Sequence, residues 1–326
     1  MFSGEFLVPS YYKDFKCKGN DCRKCCCGGW AVTVSMKEYF KMLSLDCSKE
    51  LKDKIDISLH ILKDADEDRY AQLLPNFRGE CPLRLDNGYC GLQCECGEEQ
   101  IPAVCRYYPR EPRLYPQKEC CISNSCEWVI EELIKDNKDV SFEKMNLQFF
   151  FDDDEQNKTI VDEFNLRNKC LDIVSDQSKT VMDRIKTIFE LSGSEIPDYD
   201  FIIKYSRRLK EEFEDYASIR EYCAQISEYD FKKNLENVYK IYPKFDKWTA
   251  NILVNHLYYM KYPFVENKAT LKEEGMALLG VMCLWVTLLS NAGKTINDFS
   301  DITSEMFRVV EHTRFYKNAM IISENI

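Results

Sequence analysis

The sequence predicts a mainly α protein, in which an irregular, cysteine-rich metal-binding N-terminal domain packs on an all-α helical C-terminal domain. Three observations carry this. Fourteen of the 17 cysteines fall before residue 127, Pro, Gly and Cys break the chain into short pieces between Pro75 and Cys126, and apolar residues recur at helical spacing from Glu127 onward. The boundary is placed at residue 130, giving domains 1–130 and 131–326, in keeping with roughly 100–200 residues per domain.

Met36, Tyr39, Phe40 and Leu43 predict a helix after Ser35, and Leu51 to Leu62 a weaker one. Helical spacing then appears in WVIEELIKD and over 155–174, 178–191, 198–226, 247–260, 268–289 and 304–319, punctuated by Pro197, Pro243, Pro263 and Gly293. The tract FFFDDDEQNK, 149–158, reads as the connection between the two parts. Cys170, Cys223 and Cys283 fall singly within helical segments and read as small core residues.

Charge divides in the same way. Residues 1–126 hold 18 Lys and Arg against 19 Asp and Glu, leaving 26 against 36 for the remainder. An acidic half argues against nucleic acid or an anionic membrane as partner, since both require clustered Lys and Arg. The first fifteen residues lack the basic and apolar regions of a secretory signal, and the longest apolar run, Met276 to Leu289, is shorter than the roughly 20 residues that span a bilayer. The expectation is a cytoplasmic protein whose thiols stay reduced and are available to metal.

The thiols form three groups: Cys17, Cys22, Cys25, Cys26 and Cys27; Cys81, Cys90, Cys94 and Cys96; and Cys105 with Cys120, Cys121 and Cys126. Short intervals interrupted by Pro and Gly allow thiolates to converge on one ion or cluster. Cys22–Cys25 is the lone CxxC, which fits zinc fingers badly, and His60, His256 and His312 lie far from the thiol groups and read as core or surface residues. A 4Fe-4S cluster accepts irregular spacing; zinc stays open as the alternative. The C-x3-C-x2-C signature of radical chemistry is absent, because position 97 is Gly97.

Cys17-x4-Cys22-x3-Cys26-Cys27-x-Gly29-Trp30, Cys81-Pro82-Leu83-x-Leu85, Gly88-x-Cys90-x-x-Gln93, Gly97-Glu98, Cys105-x-x-Tyr108-Pro109-Arg110 and Ser125-Cys126 resemble the flagellin lysine-N-methylase family, with its zinc- or iron-chelating cysteine-cluster domain. Asn251-x3-Asn255 and Tyr262-Pro263-Phe264 are similar to the helical portion of those enzymes. The resemblance implies N-methylation of flagellin surface lysines from S-adenosylmethionine (SAM), with an iron-sulfur cluster. Its implied ligands are Cys17, Cys22, Cys26, Cys27, Cys81, Cys90, Cys105 and Cys126. Cys25, Cys94, Cys96, Cys120 and Cys121 depart from the pattern, as a second metal site or as spectator thiols.

Methyl transfer to lysine needs the neutral amine, a small minority at pH 7 for a group of pKa about 10.4. The acceptor candidates are Tyr107, Tyr108, Glu98 and Glu99, with Tyr108, Glu98 and Arg110 forming the catalytic set. Arg106 and Arg110 can hold the SAM carboxylate, balance a thiolate cluster or pair with Glu98 and Glu99. Trp30 can cover the cluster or stack on adenine or sulfonium. No GxGxG loop follows an apolar strand, so a Rossmann-type SAM site is not encoded. The competing reading is a non-catalytic zinc- or iron-binding interaction module.

Overall fold

Apolar Phe6 and Val8 alternate with polar or half-exposed neighbours in FSGEFLVP, and the segment forms strand β1 (Phe2–Pro9). The computed structural model describes residues 2–28, 31–114, 117–135, 139–149, 161–262 and 270–326. It contains two compact units: Met1–Phe15 together with Arg110–Ile326, and Lys16–Pro109. Residue 130 falls inside a helix of the first unit, α5 (Glu127–Ile134).

In that unit β1 pairs antiparallel with β7 (Phe142–Phe149) along its whole length, Phe2 opposite Phe149 and Pro9 opposite Phe142. On its other side it runs parallel to β6 (Glu119–Ile122), which pairs antiparallel with β5 (Arg110–Arg113). The mainly helical architecture is as expected, but the larger part is not all-α. The polar-apolar alternation of FEKMNLQF is a strand pattern of period two, hidden in the sequence reading by its proximity to the FFFDDDEQNK tract. Beyond Phe149 that tract, through residue 158, lies outside the described residues.

The helices are α6 (Val161–Ser175), α7 (Val181–Leu191), α8 (Tyr199–Phe213), α9 (Arg220–Cys223), α10 (Phe231–Ile241), α11 (Phe245–Tyr259), α12 (Leu271–Ala292), α13 (Ile296–His312) and α14 (Phe315–Glu324). Sequence reading passed over α10, and the spans expected over 198–226 and 304–319 each divide into two helices.

Helix α12 is the centre of the core. It is buried continuously from Glu274 to Leu289, and α7, α8, α10, α13 and α14 pack around it. In the sequence its apolar run reads as too short to span a bilayer, but the 22-residue helix is long and apolar enough to cross one; 83% of its most apolar stretch is buried inside the unit. Trp285 donates to Thr303 Oγ1 at 2.9 Å, and Gly280 admits Tyr205, whose hydroxyl would lie 2.8 Å from any Cβ there. Cys170, Cys223 and Cys283 are buried, in agreement with the core reading.

The smaller unit holds a three-stranded antiparallel sheet, β2 (Val32–Val34), β4 (Ala71–Leu73) and β3 (Leu59–Ile61), with β4 in the centre. Helices α1 (Met36–Leu43), α2 (Lys49–Ser58), α3 (Gly91–Cys96) and α4 (Ala103–Tyr107) complete it. Ser35 and Glu38 make a capping box on α1, and the other Glu38 oxygen accepts from Ala103 N at 2.7 Å, tying α4 to α1. The buried core is small, including Val34, Met42, Leu51, Ile55, Leu73 and Leu92. Regular structure is therefore richer here than the Pro, Gly and Cys content suggests.

Candidate metal centre

The segment from Cys25 to Gly28 turns tightly, with Gly28 N donating to Cys25 O at 3.3 Å and Cys27 N to Cys25 Sγ at 3.4 Å. The turn converges three sulfurs: those of Cys25, Cys26 and Cys27 lie within 4.8 Å of one another, the one such group of metal-ligating side chains among the described residues. A second loop is laid alongside. Cys81 N donates to Cys27 O at 2.6 Å, Gly28 bridges to Glu80, and Arg84 pairs with Glu80 at 2.8 Å.

From Cys81 the chain reverses through Gly88, whose φ of +86° favours glycine, and Arg84 bridges to Cys90 at the N-terminus of α3. Gly91 N then donates to Leu83 O at 2.7 Å; a Cβ at Gly91 would meet that oxygen at 3.1 Å.

Electrostatics mark the same group. Hydrogen bonds from Cys26 and Cys27 hold the Cys25 thiol far below its ordinary range, with Arg84 assisting. Sharing with Cys25 in turn pushes Cys26 and Cys27 up. Desolvation, with Cys81 and Cys90 as neighbouring sulfurs, pushes Cys105 up to about 12. Burial also raises Cys81 and Cys90, and Cys25 acts on Cys81. Within the trio Cys25 is thus the thiol held down and Cys26 and Cys27 those pushed up, while Cys81 adjoins it through its backbone bond to Cys27. The family pattern omits Cys25; its position in the CxxC with Cys22 was the one available signal.

Cys17 is exposed and accepts from Gly19 N at 3.4 Å, and neither it nor Cys22 belongs to the trio. Cys94 is exposed one turn after Cys90 on α3. Cys126 belongs to the larger unit, as N-cap of α5. Trp30 lies outside the described residues, as do Pro263 and Phe264. Glu98 and Glu99 open a short 3-10 turn that Lys41 Nζ fastens through the Glu99 carbonyl at 2.6 Å. Tyr108 closes α4, and Arg106 lies over the Tyr107 ring and reaches Ile101 O at 3.4 Å. Arg110, on β5, covers the Phe15 ring at 4.7 Å.

Cys120 and Cys121 are adjacent on β6, so their side chains leave opposite faces. The Cys120 thiol meets the Tyr12 hydroxyl at 3.6 Å, while Cys121 accepts from Arg113 and donates to Tyr258 O at 3.5 Å. Both are buried. Their sulfurs have separate partners, which is the arrangement of core thiols rather than of a chelating pair.

The larger unit also contains a buried polar network that sequence reading did not find. Ser125 Oγ lies 2.9 Å from His312 Nε2; Ser123 Oγ donates to Glu311 at 2.6 Å; Glu311 contacts His256 Nδ1 at 2.9 Å; His256 Nε2 lies 2.8 Å from the Tyr316 hydroxyl. Asn255 joins it, receiving the Tyr11 hydroxyl at 2.5 Å and donating to Ile122 O and Asn124 Oδ1. Asn251, one turn earlier, donates to Leu133 O at 2.8 Å. The Asn251-x3-Asn255 motif therefore clips α11 to α5 and β6. A cavity of about 330 Å³ opens beside Tyr11, Asp14, Glu132, Asp139 and Asn251.

The similarity suggested by the motifs is found among known proteins. The chain is 26% identical over 131 residues to the lysine-N-methylases of Salmonella choleraesuis (strain SC-B67) and Salmonella typhimurium (strain LT2), covering 39% of this chain and 32% of each relative. It is 24% identical over 133 residues to the flagellar biosynthetic protein FliU of Salmonella muenchen, covering 76% of that protein. The chain thus matches about a third of the length of the methylases. No family model matches it, and no solved structure does.

Proposed function

We propose that this protein is a lysine N-methyltransferase that modifies flagellin surface lysines with SAM as methyl donor and carries a thiolate-bound metal centre. The observation that carries the reading is the similarity to lysine-N-methylases and to a flagellar protein. The donor set fits a metal: three convergent thiols with a fourth, Cys81, on the adjoining loop are soft ligands suited to an iron-sulfur cluster or to zinc. Cys25, Cys26, Cys27 and Cys81 would hold it, with Cys90, Cys105, Cys17, Cys22 and Cys126 the remaining candidates implied by the family pattern. Such a centre would supply a redox-active or Lewis-acidic charge.

The chain's own residues have two tasks in this reaction. The substrate ammonium must lose its proton before its nitrogen lone pair can attack the methyl group, and Glu98 and Tyr108 are the proposed acceptors. The SAM carboxylate requires a guanidinium, for which Arg106 and Arg110 are proposed, and Trp30 is the proposed stacking partner of the sulfonium or adenine. A reducing cytoplasm is the compartment this reading requires, because free ligating thiols persist there.

The test is anaerobic purification, determination of iron, acid-labile sulfide and zinc per chain, and incubation of the metal-loaded protein with flagellin and methyl-labelled SAM. Label on flagellin lysines supports the proposal. A metal-replete protein that transfers no label overturns it. The small core of the Lys16–Pro109 unit favours a second reading, a zinc-stabilised interaction module in which the metal fastens the fold. Stoichiometric zinc, no visible absorption band and no transfer would select it.

A further inference from the structure

We propose that Cys47 and Cys96 form a dithiol modification site, oxidised reversibly to an intramolecular disulfide by glutathione disulfide. Neither residue belongs to the converging trio, and Cys47 lies apart from all three sequence groups of thiols. The backbone brings them together at the junction of two helices. Cys47 immediately precedes Ser48, the N-cap of α2, and Cys96 is the last residue of α3.

Their chain neighbours are bonded to each other twice. Glu95 accepts from Ser48 N and from Ser48 Oγ, both at 3.0 Å, so the two backbones are held side by side. The two cysteines are thereby neighbours across the α2–α3 junction, and both are partly exposed at the edge of the small core. The deeply buried thiols of Cys170, Cys223 and Cys283 have no comparable thiol partner, and core packing alone does not call for two sulfurs at an accessible helix junction.

The Cys47 thiolate attacks glutathione disulfide, forming a mixed disulfide and releasing one glutathione. The Cys96 sulfur then attacks the Cys47 sulfur, gives its proton to water and releases the second glutathione. The two cysteines lose two electrons and glutathione disulfide gains them. The product ties the start of α2 to the end of α3, the helix whose N-cap is Cys90, so it fastens one side of the thiol-bearing loop.

The experiment equilibrates the full-length, metal-loaded protein in buffers of increasing glutathione disulfide to glutathione ratio, followed by alkylation, trypsin and peptide mapping. The expected product is Met42–Lys49 joined to Leu85–Arg106 through Cys96, rising with the ratio and lost on adding dithiothreitol. Cys47→Ser and Cys96→Ser, each checked by circular dichroism, should abolish the cross-link while keeping the wild-type metal content. If either variant fails to fold, the wild-type map decides alone. Cys47 that stays fully alkylated at every ratio, a bond from Cys47 to Cys94 instead, or loss of metal in a folded Cys96→Ser protein overturns the proposal.

Discussion

Glu119 is buried between two guanidinium groups: Arg167 binds it through both nitrogens, at 2.7 and 3.2 Å, and Arg113 Nε lies 3.3 Å away. Gln117 and the Tyr258 hydroxyl add donors at 2.6 and 3.0 Å. Burial alone would raise this carboxyl; Arg113 and Arg167 outweigh it and hold it below the ordinary range. Glu119→Gln leaves the cations buried without their counter-charge, and a loss of about 3–5 kcal/mol is expected in chemical denaturation. Glu274 is the opposite case. Its titratable neighbours Tyr316, Tyr262 and Cys170 carry no positive charge, and burial pushes it from 4.5 up to about 8. The folded state binds this proton more tightly than the unfolded chain. Its contribution is therefore fully present below pH 4.5 and declines as pH rises to about 8, by at most ~1.4 kcal/mol per unit. Thermal melts across that range should show a falling midpoint in the wild type and a flatter profile in Glu274→Gln. Neither carboxylate was legible in the sequence, because each owes its role to partners far away in the chain. Of the three cysteine groups read from the sequence, only the run Cys25–Cys27 brings sulfurs together among the described residues, and there local spacing was a guide although the family pattern passed over Cys25.

Local geometry at the level of elements decides what a sequence motif can do. Cys25, Cys26 and Cys27 occupy a turn and their sulfurs converge, whereas Cys120 and Cys121 occupy a strand and theirs diverge. Cys25→Ala should weaken metal binding by more than the ~10–100-fold usual for loss of an outer-shell partner, while a folded Cys120→Ala protein should bind as the wild type does; competition with a chelator measures both. On α11 the four-residue spacing of Asn251 and Asn255 places both amides on one face, where they satisfy carbonyls of α5 and β6. Asn255→Ala removes one donor to Ile122 O, one to Asn124 and the acceptor of the Tyr11 hydroxyl, all buried. A destabilisation of roughly 2–4 kcal/mol is expected in denaturant titration, because unsatisfied buried groups cost more than the bonds contribute. The helices with strong period 3.6 were legible before the structure. β1 and β7 were not, since their pairing joins the first residues to positions 142–149 and a lone alternating tract does not announce its partner.

For the molecule as a whole, the two units rest on different sources of stability. Met1–Phe15 with Arg110–Ile326 is built around α12, a buried helix against which α7, α8, α9, α10, α13 and α14 pack, and its folding free energy comes from apolar area removed from water. Lys16–Pro109 has a core of few buried side chains and a loop system held by backbone bonds between the Cys25–Gly28 turn and the Glu80–Cys81 segment. The cysteine-rich composition made part of this contrast legible; the break read near Cys126 falls inside the larger unit, and the assignment of residues 2–9 and 110–126 to that unit was not legible, because it depends on long-range strand pairing. If the thiols bind metal as proposed, binding free energy is folding free energy for the smaller unit. Amide exchange of the full-length protein, before and after anaerobic chelation, measures this directly. Protection should fall within residues 16–109, most steeply at α3 and the β2–β4–β3 sheet, while α12 exchanges at the same rate with and without metal. Uniform loss of protection along the chain, or unchanged exchange in residues 16–109 after verified metal removal, would exclude a centre that stabilises this unit selectively.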